Sequence, residues 1–254
     1  MSLSGEHQAA VRALLVRGLA AGLVAGLVGF MVARLVGVPA LEGALAYEEA
    51  VSGSVGLPVI DRATQSGVGL ALAYGLYGVA VGGILGLVHS AVVGRFGGLG
   101  GRGTAAVVAL VAFVATVLVP FLKYPPNPPA STTEGTVGTR TAANLLLLAV
   151  SVLVAAGAVQ LARRLSARTG WWYGVVIAAS AYLAVVAATV VALPAVVEAP
   201  ADFPAVVLYD FRIAALAAQA ALWMAWALSF AALLPGTAYS LAQSGAGTRR
   251  QRGG

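Results

Sequence analysis

The chain contains no cysteine and only two histidines among its 254 residues. Without thiols it can form no disulfide framework, no thiolate metal site and no redox pair. Charge is scarce as well. Asp, Glu, Lys and Arg together make up 9% of the residues, against about 25% in soluble domains. That shortage, with 60% hydrophobic residues and a mean hydropathy of +0.92, excludes a soluble globular enzyme and a disordered chain. A polytopic helical membrane protein remains, with the lipid bilayer as its first partner. The net charge of +6 does not call for nucleic acid. In a membrane protein a basic excess collects in cytoplasmic loops.

Six apolar stretches approach the roughly 20 residues that a spanning helix needs. They run over about 18–38, 66–94, 104–122, 141–162, 174–193 and 213–234. The expected fold class is therefore all-α, with six transmembrane helices arranged as three hairpins. Residues 1–236 form a single integral membrane domain, and 237–254 form a short, flexible basic tail. Arg12, Arg17, Arg95, Arg102, Arg163, Arg164, Arg168, Arg249, Arg250 and Arg252 fall on one side with a single acid, Glu6. Arg34, Arg62, Lys123, Arg140 and Arg212 fall on the other, with Glu42, Glu48, Glu49, Asp61, Glu134, Glu198, Asp202 and Asp210. The positive-inside rule then places both termini in the cytoplasm. A cleaved signal peptide is the alternative reading of the first span, with Ala44-Leu45-Ala46 as its cleavage site. The apolar run is too long for that, and cleavage would leave an odd number of spans.

No carboxylate, lysine or arginine lies in the middle of any span. Charged residues there commonly mark ion-coupled transport. The interior instead offers Gln219, Asn144, Ser151, Gln160, Ser180, Thr189, His89, Tyr74 and Tyr77. Trp171, Trp172 and Tyr173 beside Arg168 read as an interfacial belt, and Trp223 and Trp226 as packing residues. Gly18, Gly22, Gly26 and Gly78, Gly82, Gly86 follow the small-xxx-small spacing that lets helices approach closely. Packing within the chain is one use of it; a second copy or a partner helix is the other. The run Gly97-Gly98-Leu99-Gly100-Gly101-Arg102-Gly103-Thr104 resembles a phosphate loop only superficially, because it lacks the lysine and a preceding strand. With no metal-binding helix motif and no nucleophile–base pair, the chain is read as neither an enzyme nor the holder of a cofactor.

The second helix of each hairpin opens with an arginine followed by an amide: Arg62 and Gln65, Arg140 and Asn144, Arg212 and Gln219. Val119-Pro120 and Leu193-Pro194 each end a helix before a proline-rich loop, which a duplicated hairpin or simple helix-end chemistry would equally produce. The three arginines would ring a vestibule, paired with Asp61, Asp210, Glu134 or Glu198, or would snorkel to headgroups.

Two blocks carry a more specific signal. One is Val119-Pro120-Phe121-Leu122-Lys123-Tyr124-Pro125-Pro126-Asn127-Pro128-Pro129-Ala130, followed by Thr136 to Thr141. The other is Asp202-Phe203-Pro204 through Phe211-Arg212, with Gln219 and Trp223 beyond. With Ala46-Tyr47-Glu48-Glu49 and Asp61-Arg62-Ala63-Thr64-Gln65-Ser66-Gly67, they resemble the CbtA family of probable cobalt transporter subunits. The resemblance runs from about Leu15 to Leu234. It implies a multi-pass protein of the bacterial inner membrane, acting with a small single-span partner of the CbtB type whose end bears histidines. The transported ion would be Co²⁺. On this reading Glu48, Glu49 and Asp61 attract cations at the outer mouth, with His89 a further candidate ligand. Lys123, Tyr124, Asn127, Arg140, Asn144, Asp210, Arg212 and Gln219 organise the outer loops. Since Glu48 and Glu49 stand where histidines would suit Co²⁺ better, imidazoles would come from the partner. A non-transporting scaffold and a transporter of another solute are the competing expectations.

Overall fold

A computed structural model describes residues 3–52, 61–95, 98–128, 131, 135, 137–196, 199 and 202–235. The described residues are helical, without a strand. Six helical segments are long and apolar enough to cross a bilayer: α1 (Gly5–Val51), α2 (Arg62–Val92), α3 (Gly101–Lys123), α4 (Val137–Thr169), α5 (Trp171–Ala192) and α6 (Ala205–Leu233). Glu134, Glu198 and the tail over 237–254 lie outside the described residues.

The helices run further than the apolar stretches. With 47 residues, α1 is about 70 Å long at 1.5 Å per residue. A hydrocarbon core of about 30 Å cannot cover it, so α1 tilts or protrudes. α6 begins at Ala205, eight residues before its apolar stretch, and carries Asp210 and Arg212 on its first turns. Hydropathy stops at the first charge, but a helix does not need to.

Three π turns interrupt the spans: Ala33–Gly37 in α1, Gln65–Gly69 in α2 and Val114–Leu118 in α3. Two have a visible cause. Proline has no N–H for the carbonyl four residues back and collides with it. Pro39 would meet Leu35, and Pro120 would meet Thr116; both lie inside the π turns. The wider turn absorbs the conflict and inserts one residue, which rotates everything beyond it.

In α3 that rotation divides the interior. Ala105, Val108 and Ala109, before the turn, join a buried cluster with Ala21 and Ala25 of α1, Leu85 of α2, and Leu222, Trp223, Trp226 and Phe230 of α6. Ala115 and Val119, in and after the turn, join a second cluster with Leu147 of α4 and Tyr182 and Val186 of α5. α1, α2, α6 and the first half of α3 thus make one body. α4 and α5 make a second, docked against the later half of α3.

Glycines set the closest packing. A Cβ at Gly22 would collide with the carbonyl oxygen of Gly78, and one at Gly82 with that of Gly18. The small-residue stripes are therefore used within the chain, between α1 and α2. α4 and α5 meet through a tight turn at Gly170 (φ +87°) and through a buried hydroxyl pair, Ser151 and Tyr182, 2.8 Å apart. The pairing differs from three side-by-side hairpins. α1 lies along α2, and α4 along α5, while α6 packs on α1 and α3 and makes no extensive contact with α5. Tight turns and small residues decide which neighbours pack, and loop lengths do not reveal that. Trp171, Trp172 and Tyr173 are exposed at the start of α5, where an interfacial belt would lie.

Candidate functional site

Residues 124–128, 193–196 and 202–204, the end of α1 and the start of α2 gather at one end of the bundle. The basic loops sit at the other. Just inside the long-loop end, α2, α3, α4 and α6 line an open cavity of about 640 Å³. The two bodies share its wall. α2 contributes Tyr74 and Tyr77; α3 contributes Thr116, Val117, Pro120 and Phe121; α4 contributes Arg140, Thr141 and Asn144; α6 contributes Ala215, Leu216 and Gln219. Tyr124 and Pro126 close it from the loop.

Local chemistry fixes several of these groups. Gln219 Oε1 accepts from the Trp223 indole N–H at 3.2 Å and from the Tyr77 hydroxyl at 3.4 Å. An indole only donates, so the amide orientation is set. Thr116 returns its hydroxyl to the Ala112 carbonyl at 2.7 Å. Asn144 Oδ1 is buried without a hydrogen-bond partner among the described residues. Arg140 and Asn144 are four residues apart and so share a helix face.

The loop above the cavity is tied down from several sides. Tyr124 donates its hydroxyl to the Pro194 carbonyl at 2.8 Å, joining the proline segments after α3 and α5. Arg140 donates to the Pro125 carbonyl. Arg212 donates to Asn127 Oδ1 at 2.7 Å. Lys123 Nζ stands 5.9 Å from the centre of the Tyr124 ring. The sequence expectation had the cations of this group pairing with acids. Their described contacts include a carbonyl, an amide oxygen and a ring. Arg140 and Arg212 have further interactions, Asp210 is exposed, and two of the expected acids, Glu134 and Glu198, lie outside the described residues. Two residues from Arg212 on one helix, Asp210 cannot share its face. Arg62 is exposed at the start of α2 and does not join Arg140 and Arg212 in a ring around the cavity.

The residues expected to attract metal are spread out. Glu48 is half-buried and Glu49 exposed near the end of α1. Asp61 caps α2. Its Oδ1 accepts from the Thr64 backbone N–H at 2.8 Å and its Oδ2 from the Thr64 hydroxyl at 2.7 Å. These bonds, the backbone one foremost, hold its carboxyl below the ordinary carboxylate range. His89 lies 28 residues further along α2, about 40 Å away. It is buried there, with Nε2 3.0 Å from the Gly101 carbonyl and its ring edge-on to Phe230 at 4.9 Å. His89 is thus a packing residue at the basic end, remote from the acids. Among the described residues no three of His, Asp and Glu converge on a point where a metal ion could sit.

Sequence reasoning named Tyr124, Arg140, Asn144 and Gln219, which the cavity brings together, and Tyr74 and Tyr77 as interior polar groups. It missed Thr116, whose signal was a lone hydroxyl in an apolar run four residues before a proline. It also missed the partnership of Tyr47 with Asp202 and Phe203. The Tyr47 hydroxyl is 3.3 Å from the Asp202 carboxylate and its ring meets Phe203 edge-on at 4.9 Å, pinning the end of α1 to the loop before α6.

No curated protein and no solved structure matches the chain. A family model does match, over residues 11–235, and that span holds every wall residue of the cavity and each of the loop ties above it. The chain therefore belongs to the CbtA family, described as probable cobalt transporter subunits.

Proposed function

We propose that this protein is the membrane subunit of a metal-ion uptake system with cobalt as its cargo, working with a small, single-span, histidine-bearing partner of the CbtB type. It sits in the bacterial cytoplasmic membrane with both termini inside. The cavity carries this reading. An open cavity of about 640 Å³ that gathers Tyr74, Tyr77, Thr116, Arg140, Asn144 and Gln219 among four otherwise apolar spans supports solute passage over a passive scaffold. Burying polar groups in a membrane is costly unless they serve a solute or one another.

The distribution of charge supports the direction. Arg12, Arg17, Arg95, Arg102, Arg163, Arg164 and Arg168 lie toward the end opposite the cavity, and the positive-inside rule supports a cytoplasmic placement of that end. The cavity then lies on the outer side. Glu48, Glu49 and Asp61 raise the local cation concentration at that surface. Their separation makes them attractors and not ligands, and the partner supplies imidazoles, which suit Co²⁺ better than scattered carboxylates. Tyr124, Asn127, Arg140 and Arg212 hold the loop over the cavity.

The test is cobalt accumulation in cells carrying both subunits. Replacing Glu48 and Glu49 together by Gln lowers uptake on this reading, most strongly at low ionic strength. Unchanged uptake would remove both residues from the mechanism. Proteoliposomes containing this chain with and without its partner separate transport from scaffolding. A scaffold gives no Co²⁺ flux in either case.

A further inference from the structure

The second half of α4 presents one exposed stripe whose chemistry changes along its length. Leu153, Gly157, Gln160, Arg164 and Arg168 recur at helical spacing, so they share a face, and all five are exposed. Another face of the helix meets α5, where a Cβ added at Gly174 would collide with Ser166. That contact also sets the depth. With Ser166 level with Gly174, Arg168 stands beside the exposed Trp171, Trp172 and Tyr173 of the interfacial belt. At 1.5 Å per residue, Arg164 is about 6 Å deeper and Gln160 about 6 Å deeper again. Side chains on a helix tilt toward its N-terminus. For Arg164 that direction is the membrane centre, so its guanidinium reaches water only against the tilt.

No acidic side chain answers these charges. The sequence has no Asp or Glu from 62 to 133, from 135 to 197 or from 211 to 254, which covers both basic loops and the carboxyl-terminal tail. The acid of this end is Glu6, on α1, and α1 makes no extensive contact with α4. Arg163 adds a third cation and turns it to neutral groups. Its Nε donates to the Arg95 carbonyl at 3.1 Å and its Nη1 to Gln160 Oε1 at 2.9 Å. A guanidinium only donates, so the Gln160 oxygen is engaged and its NH₂ is left to donate.

Two arginines one turn apart repel each other. A phosphate between them reverses that, because its oxygens accept from both guanidinium forks. We infer that the stripe is a binding site for one anionic phospholipid. Arg164 and Arg168 hold the phosphate, and the Gln160 NH₂ donates to a glycerol ester carbonyl. An acyl chain lies along Leu153 and the bare backbone at Gly157, where nothing stands within 4 Å of an added Cβ. The stripe thus offers cation, amide and apolar surface in the order in which a lipid presents phosphate, ester and chain. The site does not depend on which solute the cavity carries.

The experiment titrates the purified full-length chain in detergent and follows lipid binding by native mass spectrometry. The probes are phosphatidylglycerol, phosphatidylcholine with the same chains, and glycerol phosphate as a headgroup without chains. Phosphatidylglycerol binds at least about tenfold tighter than phosphatidylcholine, as two arginines near a membrane surface would provide. Arg164→Gln with Arg168→Gln removes that preference. Arg12→Gln with Arg102→Gln takes the same charge from exposed positions on α1 and α3 and leaves the preference intact. Equal affinity for the two lipids overturns the inference. So does an equal loss in the two double variants, which would trace the preference to net charge. Glycerol phosphate displacing phosphatidylglycerol at matching concentrations also overturns it and leaves a site for free phosphate esters.

Discussion

Arg212 on α6 and Asn127 in the loop after α3 are 85 positions apart in sequence, yet the guanidinium donates to the amide oxygen at 2.7 Å. The bond ties a proline-stiffened loop of the second body to a helix of the first, directly above the cavity. Each residue has further interactions, so single replacements report more than this contact. A double-mutant cycle with Arg212→Met and Asn127→Ala isolates it. A hydrogen bond to a charged group contributes about 1.5–3 kcal/mol. Thermal unfolding in detergent should show a coupling of that order. A coupling near zero would mean that the loop is held by its other ties alone.

The α1–α2 contact gives a second prediction, with an internal control. At Gly22 an added methyl collides with the Gly78 backbone, which has no side chain to move aside. Overpacking of this kind costs about 1–3 kcal/mol. Gly157, on α4, has nothing within 4 Å of the same methyl. Gly157→Ala should therefore be neutral or stabilise by up to about 1 kcal/mol, from helix propensity alone. The check is the fraction of protein that stays monodisperse after heating. Equal behaviour of the two alanine variants would show that α1 and α2 do not pack as closely as the backbone indicates.

Much of this contact was readable in advance because its determinants are local. Glycines at i, i+4 and i+8 are visible as a stripe, and six apolar runs are visible as six helices. What escaped notice depends on distant partners or on backbone detail. The start of α6 at Ala205 was hidden by Asp210 and Arg212, which sit on helical turns beyond the apolar core of the span. The π turn at Val114–Leu118 is written in Pro120, but the resulting rotation of α3 between two clusters is not. Arg140 and Tyr124 were legible as polar residues near helix ends, and Asn144 and Gln219 as polar residues within the spans. Their convergence on one cavity was not, because it requires knowing that α4 and α6 share a neighbour in α3. The bonds from Arg140 and Arg212 to a loop carbonyl and a loop amide oxygen were not legible from charge, which pointed only to the acids.

Asp61 provides a pH-dependent prediction. The Thr64 backbone N–H, then its hydroxyl, stabilise the charged carboxylate and lower its pKa from the ordinary 3.8. A group lowered in the folded state contributes its stabilisation fully above the unfolded value, about 3.9 for Asp, and loses it as pH falls through the folded one. The cap at the start of α2 should thus be intact at neutral pH and melt in the acid range. Hydrogen exchange at the Thr64 amide reads it directly. Protection should fall as pH drops below the carboxylate range, and Asp61→Ala should lack that protection at every pH. An amide equally protected in the variant would assign the cap to backbone geometry, without the side chain.

Membrane orientation is the last prediction, and the cysteine-free chain makes it simple to test. Single cysteines can be introduced at Glu49 and Asp61, and at Arg102 and Arg168, all of which are exposed. The two pairs sit at opposite ends of the bundle. If the basic end faces the cytoplasm, an impermeant maleimide added to intact cells labels positions 49 and 61. Positions 102 and 168 react only after permeabilisation. Six spans require each pair to behave alike, so a split within a pair would contradict the span count. Reversal of both pairs would keep the fold and place the cavity on the inner side. Glu48, Glu49 and Asp61 would then face a compartment where attracting cations serves export, and the uptake reading would fail on direction alone.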